Sequence, residues 1–298
     1  MSSRTLALVP ARSSLLDYVA LTKPRIIGLL AFTGACGILA AAHGHPDPGA
    51  LAAVIGGGAL CAGGANAINC ALEGDLDRKM ERTRDRPVAA GRISEFAAVS
   101  LGITLNLIAA VWLTAAANGL AAALAVSGTL WYVLVYTLWL KRRSSQNIVI
   151  GGLAGSFPPL VGWAAATGRV APTALVLAAI IFLWTPPHFW ALATLLRDDY
   201  ERADVPMLPV IASPEVTARS MLAYAVATAA VSLLPVLWGG LGTVYLTATL
   251  LLSGNLLRLT VRFRREPGRP AARALFSYSL IYLAGLFAAV VLDRVLIR

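Results

Sequence analysis

The sequence predicts an all-α polytopic membrane protein of about nine transmembrane helices, with a cytoplasmic N-terminus and an external C-terminus. Three observations carry this. The 298 residues are 58% hydrophobic and only 13% charged, with a mean hydropathy of +0.72, whereas soluble chains hold about 25% charged residues. Apolar runs recur at close to the ~20 residues needed to cross a bilayer core as a helix. Lysine and arginine fall almost wholly in alternate loops. Intrinsic disorder and fibrous repeats are excluded by the same composition.

The runs lie near 25–43, 50–72, 95–116, 119–140, 147–166, 171–193, 218–238, 241–261 and 274–293. Most are Leu/Ala/Val stretches. Unpaired backbone groups are intolerable in lipid, so these are helices, and the alternation of transmembrane strands is absent. Abundant glycine and alanine let them pack closely.

The loops orient the runs in order. Arg4, Arg12, Lys23 and Arg25 precede the first; six cations from Arg78 to Arg92 follow the second; Lys141, Arg142 and Arg143 follow the fourth. Arg197, Arg202 and Arg219 surround the sixth loop, and six arginines from Arg258 to Arg273 occupy the eighth. Twenty-two cations thus fall on one side, leaving Arg169, Arg294 and Arg298 for the other. Short cytoplasmic loops retain Lys and Arg during insertion. The net charge of +10 is therefore a topology signal, and no nucleic-acid partner is expected. Residues 1–20 read as a cytoplasmic tail, too polar at the start for a cleaved secretory signal, and 21–298 as a single transmembrane domain. Cys36, Cys61 and Cys70 show no disulfide or zinc spacing.

Of the 15 carboxylates only Asp47 and Asp293 are external. Nine of the others, from Glu73 to Asp85 and from Asp198 to Asp204, gather in two clusters that topology does not require, and ionisable groups at membrane depth are functional candidates. In the first cluster Asn69, Glu73 and Asp77 are four residues apart, so on a continuing helix they line one face. Asp75 points elsewhere unless Gly74 breaks the helix. Carboxylates converging without His or Cys suit Mg²⁺ shared with phosphate oxygens, and Arg82 and Arg86 can hold the phosphate. The second cluster, Arg197-Asp198-Asp199-Tyr200-Glu201-Arg202-Ala203-Asp204, ends the sixth run, and Asp199 is 122 residues after Asp77. Two such clusters around one cavity could hold two Mg²⁺ ions on a diphosphate, so that an allylic C–O bond ionises. An apolar tunnel would take the prenyl tail.

These residues resemble the UbiA-type family of intramembrane prenyltransferases. Its Asn-Asp-x-x-Asp-x-x-x-Asp motif after the second helix maps onto Asn69 to Asp77, and its second Asp-rich motif onto Asp198 to Asp204. Cys70 stands where the first Asp falls and Glu73 where the second does, so Cys70 cannot be the metal-binding carboxylate. The stretch Asp75-Leu-Asp77-Arg78-Lys79-Met80-Glu81-Arg82-Thr83, with Arg86-Pro87, is similar to the haem-farnesylating branch. So are Thr22-Lys23-Pro24-Arg25, Tyr136-Thr137, Leu140-Lys141-Arg142, Pro187-His188-Phe189-Trp190 and Asp199-Tyr200.

The resemblance implies transfer of a farnesyl group from farnesyl diphosphate to a vinyl group of haem B, with water addition, giving haem O and diphosphate. It implies a bacterial inner-membrane enzyme with its site near the cytoplasmic face, serving a haem A synthase or oxidase-assembly partner. Asn69, Glu73, Asp77, Asp198, Asp199 and Asp204 are then the Mg²⁺ set, with Asn69, Glu73, Asp77 and Asp199 catalytic. Arg82, Arg86, Lys141, Arg142, Lys23 and Arg25 neutralise diphosphate; the basic residues of the fourth loop and Lys23 and Arg25 have the alternative role of topology anchors. Tyr136 is placed to stabilise an allylic cation, against the other reading of its aromatic neighbours as packing or an interfacial belt. His188 is either a haem contact or a packing residue, while His43 and His45 read as external loop residues. An aromatic quinone precursor is the alternative acceptor. A transporter would need its polar groups at the midplane rather than at one face. Reporters fused to the two ends should appear on opposite sides of the membrane; both on one side would contradict the nine-helix topology.

Overall fold

A computed structural model describes residues 13–238 and 240–296; the first twelve residues of the expected tail, and Arg298, lie outside them. Nine helical segments among the described residues are long and apolar enough to cross a membrane, and each overlays one of the predicted runs. They are α2 (Pro24–Ala41), α3 (Pro48–Leu72), α5 (Glu95–Ala116), α6 (Gly119–Leu130) continued by a π-helix (Trp131–Leu140), α7 (Asn147–Gly151) continued through a 3₁₀ turn (Gly152–Ser156) into α8 (Phe157–Thr167), α9 (Pro172–Leu195), α12 (Pro214–Leu237), α13 (Thr243–Arg265) and α14 (Arg269–Leu296). Four short helices, α1 (Leu15–Leu21), α4 (Gly74–Lys79), α10 (Arg197–Arg202) and α11 (Leu208–Ile211), sit at span ends. The chain is an integral membrane protein of all-α architecture.

Two spans depart from the simple runs. The fourth changes register at Trp131, so that the Lys141 N–H donates to the Tyr136 carbonyl five residues back at 2.9 Å. The fifth is broken at Gly152. Helix ends also reach into the charged loops, because terminal arginines extend their heads to the interface while their stems stay apolar.

Small residues set the spacing of the first half of the bundle. A Cβ on Gly162 would stand 2.1 Å from the Gly34 carbonyl oxygen, and one on Gly37 would stand 2.6 Å from that of Pro159, so α2 and α8 touch backbone to backbone. Gly64 on α3 and Gly102 on α5 do the same reciprocally, each site 2.6 Å from the other's carbonyl. Apolar burial does not drive helices together in lipid, and such close approaches supply van der Waals contact instead. The second half packs larger side chains: Tyr245, Tyr282, Phe263 and Phe287 are buried, with the Tyr245 hydroxyl donating to the Ser232 carbonyl at 2.8 Å.

The two ends of the bundle differ. At one, Asp293 accepts from the N–H groups of Gly242 at 2.6 Å and Tyr245 at 3.0 Å, capping the start of α13, and Asn118 donates to the Ala164 carbonyl at 2.8 Å. At the other, the end of α3, the start of α2 and the loops after α3, the π-helix and α9 meet. There α1 begins in a Ser14–Asp17 capping box and docks through buried Leu21 and an Asp17–Arg92 ion pair of 2.9 Å. Gly162→Val should wedge α2 from α8 and cost on the order of 1–3 kcal/mol, read as a fall in Tm of the detergent-solubilised protein; an unchanged Tm would refute the close crossing.

Candidate active site

The spacing of Asn69, Glu73 and Asp77 survives a break in the helix. α3 stops at Leu72, Glu73 is its cap at φ −111, and α4 restarts at Gly74. All three side chains are buried, at 1%, 1% and 3% exposure, while Asp75 turns outward. Burying a carboxylate demands a partner, and each has one here. Lys141 Nζ donates to Glu73 Oε2. Arg86 donates to both Asp77 oxygens at 2.9 Å. Arg142 grips Asp75 with two bonds of 2.7 Å. Glu73 Oε1 is buried with no partner among the described residues.

Asn69 sits between the first and fourth spans. Its Oδ1 accepts from Lys23 Nζ at 2.7 Å, and its Nδ2 donates to Thr137 Oγ1 at 3.0 Å. The Thr137 hydroxyl donates to the Tyr132 carbonyl at 2.9 Å, five residues back. Thr137 therefore fixes which way the amide faces, and the π register positions Thr137. π segments are rare and concentrate at functional sites. Lys23 holds a left-handed backbone at φ 53, and burial pushes its pKa down to about 8.

The second cluster joins the first across the loops. Asp199 accepts from the Glu81 N–H at 3.1 Å and pairs with Arg202. Burial opposes its ionisation, but Arg202 and the N–H groups of Glu81 and Arg82 outweigh that and hold its carboxyl below the usual range. Lys79 reaches Asp204 at 3.1 Å on the surface. Tyr200, buried beside Asp199, has its hydroxyl pushed up to about 12. The carboxylates are thus spread among ion pairs, and among the described residues no three acids, cysteines or histidines form a ready-made cation cage.

Beneath this rim lies an apolar cavity of about 330 Å³ between α2, α3, α6, the π-helix, the broken fifth span and α9. Asn66, Tyr132 and Tyr136 line it, together with Gly58, Thr185 and Phe189. Tyr136 stacks on Tyr132 with centroids 5.4 Å apart, and Lys141 Nζ stands 5.8 Å from its ring. A Cβ at Gly151 would lie 2.3 Å from Tyr136 Cδ2, so glycine makes room for that ring.

The structure therefore brings together Lys23, Asn69, Glu73, Asp77, Arg86, Tyr136 and Lys141, with Asp199 held against the adjoining loop. Arg25, Arg82, Asp198 and Asp204 are exposed. His188 belongs elsewhere in the bundle. It lies between Trp184 and Phe276, at centroid distances of 4.2 and 4.9 Å, with Nδ1 2.7 Å from Ser279 Oγ, while its neighbours Thr185 and Phe189 face the cavity. The reading of the acid spacing overlooked Asn66, Tyr132 and the Arg142–Asp75 pair; Thr137 stood only within the Tyr136-Thr137 stretch of the family resemblance, with no role given to its hydroxyl.

Fold and site together define an intramembrane protein that holds matched acids and bases over an apolar pocket. The UbiA prenyltransferase family matches residues 30–283. The chain is 51% identical over 278 residues to a protoheme IX farnesyltransferase of Thermus thermophilus, covering 93% of this chain and 46% of that protein. It is 47% identical over 289 residues to that of Roseiflexus sp., covering 97% of this chain and 54% of that protein. With the protoheme IX farnesyltransferase of Gloeobacter violaceus it shares 47% identity over 295 residues, 98% of this chain and 97% of that one. The chain spans about half the length of the first two. Among solved structures it is similar to one described for digeranylgeranylglyceryl phosphate synthase, with a TM-score of 0.79, 18% identity and coverage of 95% and 99%. It is also similar to a UbiA homolog from Archaeoglobus fulgidus bound to GPP and Mg²⁺, with a TM-score of 0.65, 16% identity and coverage of 92% and 99%. The chain belongs to the UbiA prenyltransferase family.

Thr137→Val should lower turnover by about tenfold by freeing the Asn69 amide to rotate, and Thr137→Ser should restore it; equal loss in both would remove the hydroxyl's positioning role. Asp75 is held down to about 2 by the Arg142 hydrogen bonds. Its folded pKa is depressed, so the stability it contributes is complete above the ordinary value of about 3.9 and fades as pH falls toward about 2. Asp75→Asn should flatten that acid limb in a Tm-against-pH series.

Proposed function

We propose that this chain transfers the farnesyl group of farnesyl diphosphate to a vinyl group of haem B, with addition of water, releasing diphosphate and haem O. The observation that carries the reading is the junction of a buried cationic and anionic rim with an apolar cavity. A prenyl diphosphate has the same division into a charged head and an apolar tail. The choice of haem as acceptor rests on the relatives named protoheme IX farnesyltransferase.

Lys23, Arg86 and Lys141 meet the diphosphate oxygens, with Arg82 and Arg142 closing the solvent side. Cations in a water-poor site stabilise charge as it develops on a leaving group. The allylic C–O bond breaks with its electron pair going to diphosphate. The vinyl π electrons then form the new C–C bond, and water adds to the resulting porphyrin-side cation and gives up a proton. Tyr136, at the polar end of the cavity, presents its ring face to the allylic cation. The apolar walls keep water from the prenyl cation before the acceptor reaches it.

Mg²⁺ fits the donors present. They are hard oxygens from Asn69, Glu73, Asp77 and Asp199, and the unpartnered Glu73 Oε1 is a buried acceptor awaiting a cation or donor. When bound, the ion withdraws charge from the diphosphate. The UbiA homolog described as bound to GPP and Mg²⁺ supports this chemistry on a shared fold. The alternate-loop cation pattern supports a site at the cytoplasmic face of a bacterial inner membrane, from which haem O passes to a haem A synthase or oxidase-assembly partner.

Purified protein supplied with haem B, farnesyl diphosphate and Mg²⁺ should convert the porphyrin to the hydroxyethylfarnesyl product, and EDTA should stop it. Asp77→Ala and Asp199→Ala should each lose at least about a hundredfold in turnover while still inserting in the membrane. An unchanged porphyrin mass from wild-type protein that binds the diphosphate would redirect the search to aromatic acceptors.

A further inference from the structure

The ion pairs of the site take up some of the cations of the early loops, leaving Arg25, Arg78, Arg82, Arg84 and Arg143 outside them among the described residues, and they take up none of those of α13. Around the site Lys79, Arg86, Lys141, Arg142 and Arg202 are all in ion pairs. None of the six arginines of the α13–α14 hairpin has a carboxylate partner among the described residues; Arg258 donates only to Asn255 Oδ1, at 2.8 Å. Three of them, Arg258, Arg262 and Arg265, follow one another at helical spacing on one face and are exposed. With Gly254, Leu257, Val261 and the carboxylate of Glu266 they line a groove along α13, three cations against one anion.

The placement is unusual for a topology signal alone. Orientation needs cations at the ends of the spans, and Arg264, Arg265, Arg269 and Arg273 supply those. Arg258 instead stands two turns before the end of α13, roughly 10 Å at 1.5 Å per residue, farther into the apolar run than the other five. Above it the same exposed stripe turns apolar through Gly254 to Leu251 and Leu250, which are 71% and 57% exposed. A Cβ at Gly254 would meet nothing within 4 Å, leaving a shallow recess over the helix backbone.

We propose that this stripe is a binding site for an anionic glycerophospholipid. The guanidiniums fork onto its phosphodiester, and one acyl chain lies along the recess at Gly254 and the leucines beyond. Charge complementarity and the change from basic to apolar along one face match the order of headgroup and chain in a bilayer. Basic residues just outside a span attract acidic lipids in general; here the ladder continues into the span and gives the lipid a fixed place on α13. The site is separate from the acid and base rim around Asn69 to Asp77.

The test is native mass spectrometry of the full chain in detergent, titrated with phosphatidylglycerol or phosphatidylcholine. The wild-type protein should retain phosphatidylglycerol at least about tenfold better. Arg258→Gln/Arg262→Gln/Arg265→Gln should lose the preference, while Arg264→Gln/Arg269→Gln/Arg273→Gln, with the same charge removed from the same hairpin, should keep it. Free glycerol phosphate should not displace the lipid. Equal losses in the two triple variants would reduce the effect to net charge and overturn the proposal, as would wild-type protein without preference. If the ladder variant fails to accumulate, a photoactivatable phosphatidylglycerol on wild-type protein decides: label concentrated on 250–265 upholds the site, and label spread evenly over the lipid-facing helices refutes it.

Discussion

A carboxylate withdrawn from water at the edge of a membrane must be matched by a cation, and much of this structure follows from that demand at Glu73 and Asp77. Both are almost wholly buried, and stripping the partner from such a group typically costs about 3–5 kcal/mol. The partners come from elsewhere in the chain: Lys141 from the end of the fourth span and Arg86 from the loop beyond α4. The Lys141–Glu73 pair fastens one span end to another, while the Arg86–Asp77 pair closes the connection after α3 upon itself. The loop that carries Arg86 then offers the Glu81 N–H to Asp199, tying in the span that ends at Leu195. Electrostatic satisfaction and tertiary assembly are here the same set of contacts.

That arrangement is held ready for an incoming anion. Lys23, Arg86 and Lys141 are cations whose present partners are an amide or carboxylates, so a diphosphate can compete for them without new cations being brought in. Glu73 Oε1 meanwhile lacks a donor. The apolar half is shaped by backbone devices. The π-helix turns Tyr132 and Tyr136 to the cavity and Thr137 to Asn69, and glycines at 151 and 152 clear room for Tyr136 and Thr185. Rim and cavity meet at those two tyrosines.

The spans were legible because the bilayer imposes one length and one secondary structure on every crossing segment; the predicted runs differ from the observed helices mainly where ends extend into arginine-rich loops. The buried trio Asn69, Glu73 and Asp77 was legible from its spacing, although the helix breaks at Glu73 and the shared face is recovered by the restart at Gly74. The pairing of Arg142 with Asp75 rather than with the buried acids was not, since it depends on how the loops fold over one another. The π register was not legible either: Trp131 to Leu140 contains no glycine or proline to mark it, and the close approach of Tyr136 to Gly151 is a tertiary contact. His188 stood out within the Pro187-His188-Phe189-Trp190 stretch, yet only the tertiary fold reveals Trp184 and Phe276 on either side of its ring.

The central claim is that the cavity below Tyr136 takes the prenyl chain while the rim takes the diphosphate, and the two halves can be separated by filling one of them. Gly58 lines the cavity and a Cβ there would meet nothing within 4 Å, so Gly58→Phe should occupy the space without disturbing the rim. A phenyl ring in that space excludes the chain sterically, and interiors tolerate no such overlap without displacement. The measurement is the affinity of wild-type and Gly58→Phe protein for a non-hydrolysable farnesyl diphosphate analogue and for inorganic diphosphate, each with Mg²⁺. The account predicts a loss of at least about a hundredfold for the farnesyl analogue with little change for inorganic diphosphate. Undiminished affinity for the farnesyl analogue would contradict it.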